Sequence, residues 1–503
     1  MSDWRRLDPR VLAIRPVEGL VRAAIPILAI FVSGRNDGPN QWISLAIAVF
    51  VVLVGLSHWF TTTYRIGDSQ VELRTGLLRR RHLAVPLDRV RSVDATASPM
   101  HRVLGVAVVK IGTGRQDKGR HDELRLDAVS AAEAQALRAR LLHRSAAPSP
   151  LPGERLEPAE VEPSEVVLSA FDPAWVRFAP FTLSGLATVG AVTGYVFHLL
   201  NEAHINPDQV GQVRSTATLL ARTPVALDAV VVVVVLLVLA ATFSTAGYLL
   251  AFWGFRLTRH PGGTLRVQRG LLTTRSVTLE ERRLRGVEVR EPLLLRVVGG
   301  ARCIAIATGL RENRGSDKGG ELLQPPAPLA QAHRVAALVL GGIDPTGGAL
   351  RAHGPDAQRR RYVRALGIAL ATVTVLVLLR VVAGFPDWPW WLSLLLLPGA
   401  VWLAGDRYRA LGHGIVDGYL VRRLGSIDRR TAALRCDGII GWRIHQSFFQ
   451  RRVGLVTLVA TTAGGHGAYE VPDVASAEAL DLAADAVPGL LTPFLAGAGR
   501  QAS

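Results

Sequence analysis

The chemistry this chain can offer is carried by arginine. Arg102, Arg296 and Arg451 each open an Arg-x-x-Gly that closes at Gly105, Gly299 and Gly454, and each stands 26 residues after a glycine, Gly76, Gly270 or Gly425. A guanidinium presents a planar fork of donors matched to a phosphate or a carboxylate, so an arginine at one equivalent place in three stretches is a candidate for holding a headgroup or a peptide carboxylate. Its more ordinary role is local pairing at a strand turn. A second candidate set is the basic runs Arg79-Arg80-Arg81 and Arg422-Arg423. Anionic lipid attracts such a segment by ~1 kcal/mol per charge when it lies at the membrane surface, although membrane topology alone also places arginines there.

The elements that must position these arginines repeat with them. Counted from the first glycine, Val85, Leu279 and Leu434 share one column, Val90, Leu284 and Ile439 a second, and Val93, Val287 and Trp442 a third. Shared apolar columns at fixed spacing imply a shared fold, so the chain reads as a triplicated module. In the first copy Val71-Glu72-Leu73-Arg74 alternates with period two before Thr75-Gly76, which predicts strand, turn, strand. After each Arg-x-x-Gly comes a short β-rich run, and each module closes on a helical pattern. Ser130-x-x-Glu133 reads as a capping box, and Asp473 is placed to cap a helix over Ala475–Ala486. Several strands followed by one helix make a small α+β unit. Gly105, Gly299 and Gly454 are expected at tight bends, an architectural role.

Before each module lies a hydrophobic hairpin. The 503 residues have a mean hydropathy of +0.25, and the apolar excess is concentrated at Val17–Ser33, Ile43–Phe60, Val176–Leu200, Ala229–Phe255, Ala365–Leu379 and Trp388–Gly405. A spanning helix takes ~17–25 apolar residues, so six spans in three hairpins are expected. The organisation that follows is a basic segment 1–16, hairpin 17–60, domain 64–143, linker 144–170, hairpin 171–255, domain 255–343, linker 344–361, hairpin 362–405 and domain 407–490. Both linkers are rich in Pro with Gly, Glu or Ala. The first hydrophobic stretch is not followed by a small-residue cleavage site, so it does not read as a signal peptide.

The net charge of +17 would suit nucleic acid if it were spread over a domain. It is instead gathered at the hairpin ends: Arg5, Arg6, Arg10 and Arg15 before the first, Arg359, Arg360, Arg361 and Arg364 entering the third, Arg407 and Arg409 leaving it. By the positive-inside rule both termini and all three modules are cytoplasmic, and nucleic acid is not an expected partner. No His-x-x-x-His, Walker motif or spaced nucleophile and base is present, and two cysteines form no metal or disulfide framework. The sequence therefore predicts no enzyme, cofactor or metal. A transporter built on the six spans is the alternative, weakened because the second and fourth spans are almost free of ionisable residues.

The stretch Pro86-Leu87-Asp88-Arg89-Val90-Arg91-Ser92-Val93, set between a transmembrane hairpin with its Gly turn and the Arg-x-x-Gly, resembles the bacterial pleckstrin-homology-like membrane proteins, the YdbT-like group. The second module keeps Arg283, Leu284 and Val287, while the third has Gly438 where the arginine would stand. The resemblance implies partly open β-barrels closed by a C-terminal helix, a role in envelope integrity or membrane stress, and a smaller membrane protein of the same family as a partner; the basic runs themselves point to membrane lipids, and the modules to a binding or scaffold role. It supplies no catalytic residues.

Overall fold

A computed structural model describes residues 4–6, 8–10, 62–67, 70–75, 81–86, 92–112, 124–130, 133, 165–182, 184–202, 225–308 and 322–491. The expected first hairpin, 17–60, and the Gly76 turn with Arg79 and Arg80 lie outside them. The chain forms two units, Met1–Glu281 and Arg282–Ser503.

In the first unit, β1 (Arg5–Arg6), β2 (Thr63–Ile66), β3 (Gln70–Thr75) and β4 (Arg81–Pro86) form an antiparallel sheet in that order. The alternation read from Val71 to Arg74 buries Val71 and Leu73 with Tyr64 and Val85. Next come β5 (Ser92–Ala97), α1 (Pro99–Val103), β6 (Val106–Gly112) and β7 (Leu124–Ser130), and then β8 (Val166–Ala170), α2 (Ser184–Glu202), α3 (Val225–Phe252), β9 (Arg256–His260), β10 (Thr264–Arg269) and β11 (Thr274–Glu280). Seven of these strands make one sheet, β7-β6-β5-β11-β10-β9-β8.

The second unit holds β12 (Leu284–Pro292), α4 (Leu293–Val297), β13 (Gly300–Ala307), β14 (Leu322–Pro328), α5 (Leu329–Val339), α6 (Pro355–Ala383), α7 (Trp388–Ser393), α8 (Leu396–Arg409), β15 (Gly412–Val416), β16 (Tyr419–Leu424), β17 (Asp428–Arg435), β18 (Ile439–His445), α9 (Phe448–Arg451), β19 (Leu455–Thr462), β20 (Ala468–Ala475) and α10 (Ser476–Ala486). Its sheets are β14-β13-β12-β17-β16-β15 and β18-β19-β20. Leu420 and Leu434 of one sheet, Leu458 and Tyr469 of the other, and Leu482 of α10 share a buried core. Two sheets and a closing helix thus enclose the third block.

The sheets do not respect the blocks read from sequence. The second half of the first block (β5–β7) shares its sheet with the first half of the second (β9–β11), and β12–β14 share theirs with β15–β17. The junction strands use one register. Val93 pairs with Thr278 and Val287 with Ala433, the seventeenth residue after one glycine against the eighth after the next in both cases.

Among the described residues, three helices are long and apolar enough to cross a membrane: Val230–Phe252, Pro355–Ala383 and Trp388–Arg409. Val230 to Val235 are each about half exposed, as a lipid-facing helix requires. The span expected at Val176–Leu200 is divided. Pro173–Thr182 is a 3-10 segment containing Pro180, and the helix starts at Ser184, because proline lacks the N–H that a continuous helix needs. The fifth span is longer than the expected Ala365–Leu379, since the Arg359–Arg364 cluster belongs to the same helix. The sixth contains a turn at Leu394–Leu395 between α7 and α8.

Two local expectations also change. The Ser130 hydroxyl accepts from the Glu133 N–H at 3.1 Å, but the Glu133 carboxylate accepts from the Tyr64 hydroxyl at 3.2 Å. Asp473 caps nothing: α10 begins after Ala475 without a side-chain cap, and the Asp473 carboxylate is drawn into ion pairs described below.

Candidate functional site

Each Arg-x-x-Gly lies on a corner between two strands. In the first, Ser98 caps α1 and Pro99 opens it, suited to a first turn that needs no N–H. In the third, Ser447 and Gln450 form a reciprocal capping box on α9. Gly105, Gly299 and Gly454 follow the corners with φ of 68°, 71° and 65°, a left-handed conformation that costs other residues energy. Gly270 and Gly425 likewise take φ of 111° and 99° in the hairpins before β11 and β17. A Cβ there would lie 2.1 Å from the carbonyl oxygen of Thr273 or Asp428.

These corners stand beside membrane-helix ends. Past α3, the N–H groups of Gly270 and Leu271 donate to the carbonyls of Trp253 and Leu250 at 2.9 and 3.1 Å. The Arg102 Nη1 donates to the Leu271 carbonyl at 2.8 Å. The first corner, the glycine turn and the helix end are therefore one assembly. In the second unit Asp406, in the last turn of α8, takes the equivalent position. It accepts from Arg296 Nη2 at 2.9 Å and from the Ser426 hydroxyl at 2.5 Å, with Arg429 at 3.6 Å. Leu293 N–H donates to the Ile427 carbonyl at 2.6 Å. At the third corner, the Ser447 hydroxyl receives Arg360 Nη2 from α6 at 3.1 Å.

The outward faces of the corners are apolar. Val103 and Val297, at one repeat position, are 84% and 76% exposed, and Phe449 is 69% exposed. Leu272, Ile427 and Trp253 are also open to the surroundings. Apolar residues gathered in this way beside helix ends form an interfacial surface able to enter the headgroup region. The sequence held a signal for this: Met100, Leu294 and Phe449 share one column, and Val103 and Val297 another.

The basic runs divide. Arg81 opens β4. Arg422 is turned inward: it is 7% exposed, lies 3.8 Å from Glu288, donates to the Glu470 carbonyl at 3.3 Å and covers the Tyr469 ring at 5.0 Å. Burial pulls its pKa down, and burial opposes the depressed pKa that Arg290 and Arg422 impose on Glu288. Arg422 is thus part of the interior, while Arg423 is half-buried. Arg102 and Arg296 reach a carbonyl and a carboxylate of the protein itself, contributed by residues distant in sequence.

A further charged cluster ties α6 to the third block. Asp473 is 1% exposed and has φ of 61°. It pairs with Arg360 and, at 2.7 Å, with Arg361, and accepts from Gln450 at 2.9 Å. Its carbonyl lies 3.1 Å from His353 Nδ1, whose Nε2 is 3.1 Å from His413 Nδ1. Burial holds both imidazoles down to about 4, with His413 acting further on His353 and Arg351 on His413. Among the described residues no group of three His, Cys, Asp or Glu side chains is placed to hold a metal.

Residues 20–145 and 366–485 match the family model for the bacterial PH domain. The chain carries bacterial PH domains. A curated relative, the UPF0699 transmembrane protein YdbT of Bacillus subtilis (strain 168), is 22% identical over 314 residues, 59% of this chain and 62% of that protein's length. No solved structure matches. This is a YdbT-like membrane protein, and its PH-domain matches include the first and third corners, Arg102 to Gly105 and Arg451 to Gly454.

Proposed function

We propose that this PH-domain protein is a membrane-anchored binding scaffold. Its six spans form three hairpins, and its three PH-like domains are held on the cytoplasmic face with their corners in the lipid headgroup layer. Envelope integrity or membrane stress is the process such a scaffold serves, through membrane-protein partners or anionic lipid. The observation that carries the reading is the exposed apolar corner beside a membrane-helix end, with Val103 and Val297 at one repeat position. In this reading the arginines beside it orient the domain on the surface rather than select a headgroup, since Arg102 and Arg296 are engaged within the protein.

The test uses the full chain, carrying Cys436→Ser, in vesicles containing nitroxide-labelled lipid. A fluorophore is placed at Val103, Val297 or Val166, the last being exposed on β8 opposite Arg259 and away from the exit end of β9. Strong quenching at Val103 and Val297 with little at Val166 is expected. Equal quenching at all three would remove the headgroup-layer placement and leave only an anchored domain free in solution.

A further inference from the structure

The sheet junctions inside the chain define a mating rule, and two strands are left to which it applies. At the first junction β5 offers its outer edge to β11, with Ala95 opposite Ser276. At the second, β12 offers its edge to β17, with Val289 opposite Thr431. Ala95 and Val289 are both the nineteenth residue after their module's glycine, and Ser276 and Thr431 are both the sixth after theirs. The sequences at the two junctions differ, yet the register is the same. Side-chain alternation fixes such a register, because a slip by one residue would turn every side chain to the other face.

Of the strands in these two classes, β4 and β18 remain. Among the described residues β4 ends the first sheet and β18 ends the last, neither bordered by a further strand. β4 is the counterpart of β11 and β17, and β18 that of β5 and β12. Exposure follows the missing neighbour. Ile444 of β18 is 40% exposed, whereas Val289, at the equivalent position under β17, is 1% exposed. A free edge bearing exposed apolar side chains is one that soluble proteins protect or pair. The corner arginines repeat the pattern. Arg102 reaches the residue after Gly270, and Arg296 reaches the carboxylate that holds the residue after Gly425. Arg451 stands at the same place beside β18.

We infer that β18 of one molecule pairs with β4 of a second copy of this chain, in the register of the two internal junctions: Trp442 opposite Ala84, Arg443 opposite Leu83, Ile444 opposite His82 and His445 opposite Arg81. The contact is head-to-tail, so a joined pair still carries one free edge of each kind, and association extends into a row or closes into a ring in the membrane plane. Both edges must face the same compartment, as the proposed topology provides.

The experiment is disulfide trapping of the full chain in its own membranes, with Cys436→Ser throughout and buried Cys303 retained. Ile444→Cys and His82→Cys are made in separate, differently tagged copies and co-expressed. Ala95→Cys with Ser276→Cys in one chain places thiols at the same two positions of an internal junction, so its intrachain bond is the folding and oxidation control. The expected product is a mixed dimer joining the two tags, and a ladder when both substitutions are in one chain. Moving the second thiol to Leu83 should lower the yield at least about tenfold, because its Cβ points to the other face. The inference is overturned if, with the control bond formed, no mixed dimer appears. It is equally overturned if Ile444→Cys joins mainly to itself, or if the double variant closes within one chain.

Discussion

The two units dock an Arg-x-x-Gly corner against a membrane-helix end in different ways. At the end of α3 the contacts are backbone to backbone, reinforced by Arg102 on a carbonyl and by aromatic packing: Trp253 lies 5.6 Å from Phe171, and Arg269 covers Phe252 at 5.3 Å. At the ends of α6 and α8 carboxylates do the work, Asp473 for Arg360 and Arg361, Asp406 for Arg296 and Arg429. None of the contacts of the first kind pairs two charges, so they depend little on pH and salt. Buried ion pairs are worth little net but are costly to break on one side, because the remaining charge stays desolvated. The second unit is thus specified by charge and should be the more fragile of the two.

The largest test of this difference is Asp473→Asn. Asparagine keeps the shape and tolerates the left-handed backbone, so the substitution removes charge alone and leaves two half-buried guanidiniums facing a buried amide. We expect a loss of about 3–5 kcal/mol, read as earlier thermal unfolding and faster proteolysis of residues 282–491, with the first unit unchanged.

Acidification should act on the same side. His353 and His413 are held neutral, with folded values of about 4 against an ordinary 6.5. Above pH 6.5 both states are deprotonated and nothing is lost. Between 6.5 and 4 the unfolded chain binds protons that the folded one does not, so stability falls as pH falls, and the loss is complete below about 4. Glu478, 3.3 Å from His413, and Arg361 and Arg351 set the local field. Both rings are buried, and we expect about 2–4 kcal/mol from the pair. The double variant to glutamine should flatten the unfolding curve in that window. In the first unit, Glu72 is held near 2, chiefly by its hydrogen bond from Arg65. That contribution is full above 4.5 and is lost only as pH falls through 2, so mild acid separates the two units.

Asp406→Ala should cost about 2 kcal/mol, since it strips Arg296 and the Ser426 hydroxyl of one acceptor. The measurement is loosening of the second corner, seen as hydrogen exchange at Ile427 and Leu293. This site was half legible in the sequence. The spacing singled out Arg296 and Gly299 and the columns located the strands, because both are properties of neighbours along the chain. Asp406 was not legible, because it reads as one polar residue at the end of an apolar span and gains its role only when α8 meets α4. The same holds for Asp473. Its position before the helical pattern suited a cap, but two arginines brought by α6 compete for the carboxylate and win. The Ser447-Phe-Phe-Gln450 capping box, by contrast, fits the four-residue pattern as it stands. Strand sharing between blocks was hidden, since apolar columns say which face is buried and not which strand lies alongside.

Where the two regions agree, substitutions should be equivalent. Gly270→Ala and Gly425→Ala each force a Cβ against a carbonyl oxygen at a positive φ, and each should cost about 1–3 kcal/mol. Unequal losses would show that one turn can relax where the other cannot, and would weaken the equivalence of the junctions. Unfolding followed by separate probes in each unit makes the comparison.

The smallest expected effect is the most direct measure of the contrast. Arg102 and Arg296 occupy one repeat position, but Arg102 donates to a neutral carbonyl from an exposed corner while Arg296 pairs with a carboxylate and is itself largely enclosed. Arg102→Ala leaves a carbonyl that water can satisfy, so the loss should be under about 1 kcal/mol and independent of salt. Arg296→Ala leaves Asp406 with Ser426 and the more distant Arg429, and should cost more, with a dependence on salt that tracks the screening of that pair. Equal and salt-independent losses would mean that Asp406 is held by Ser426 and Arg429 alone, and that the two corners dock alike despite their different chemistry.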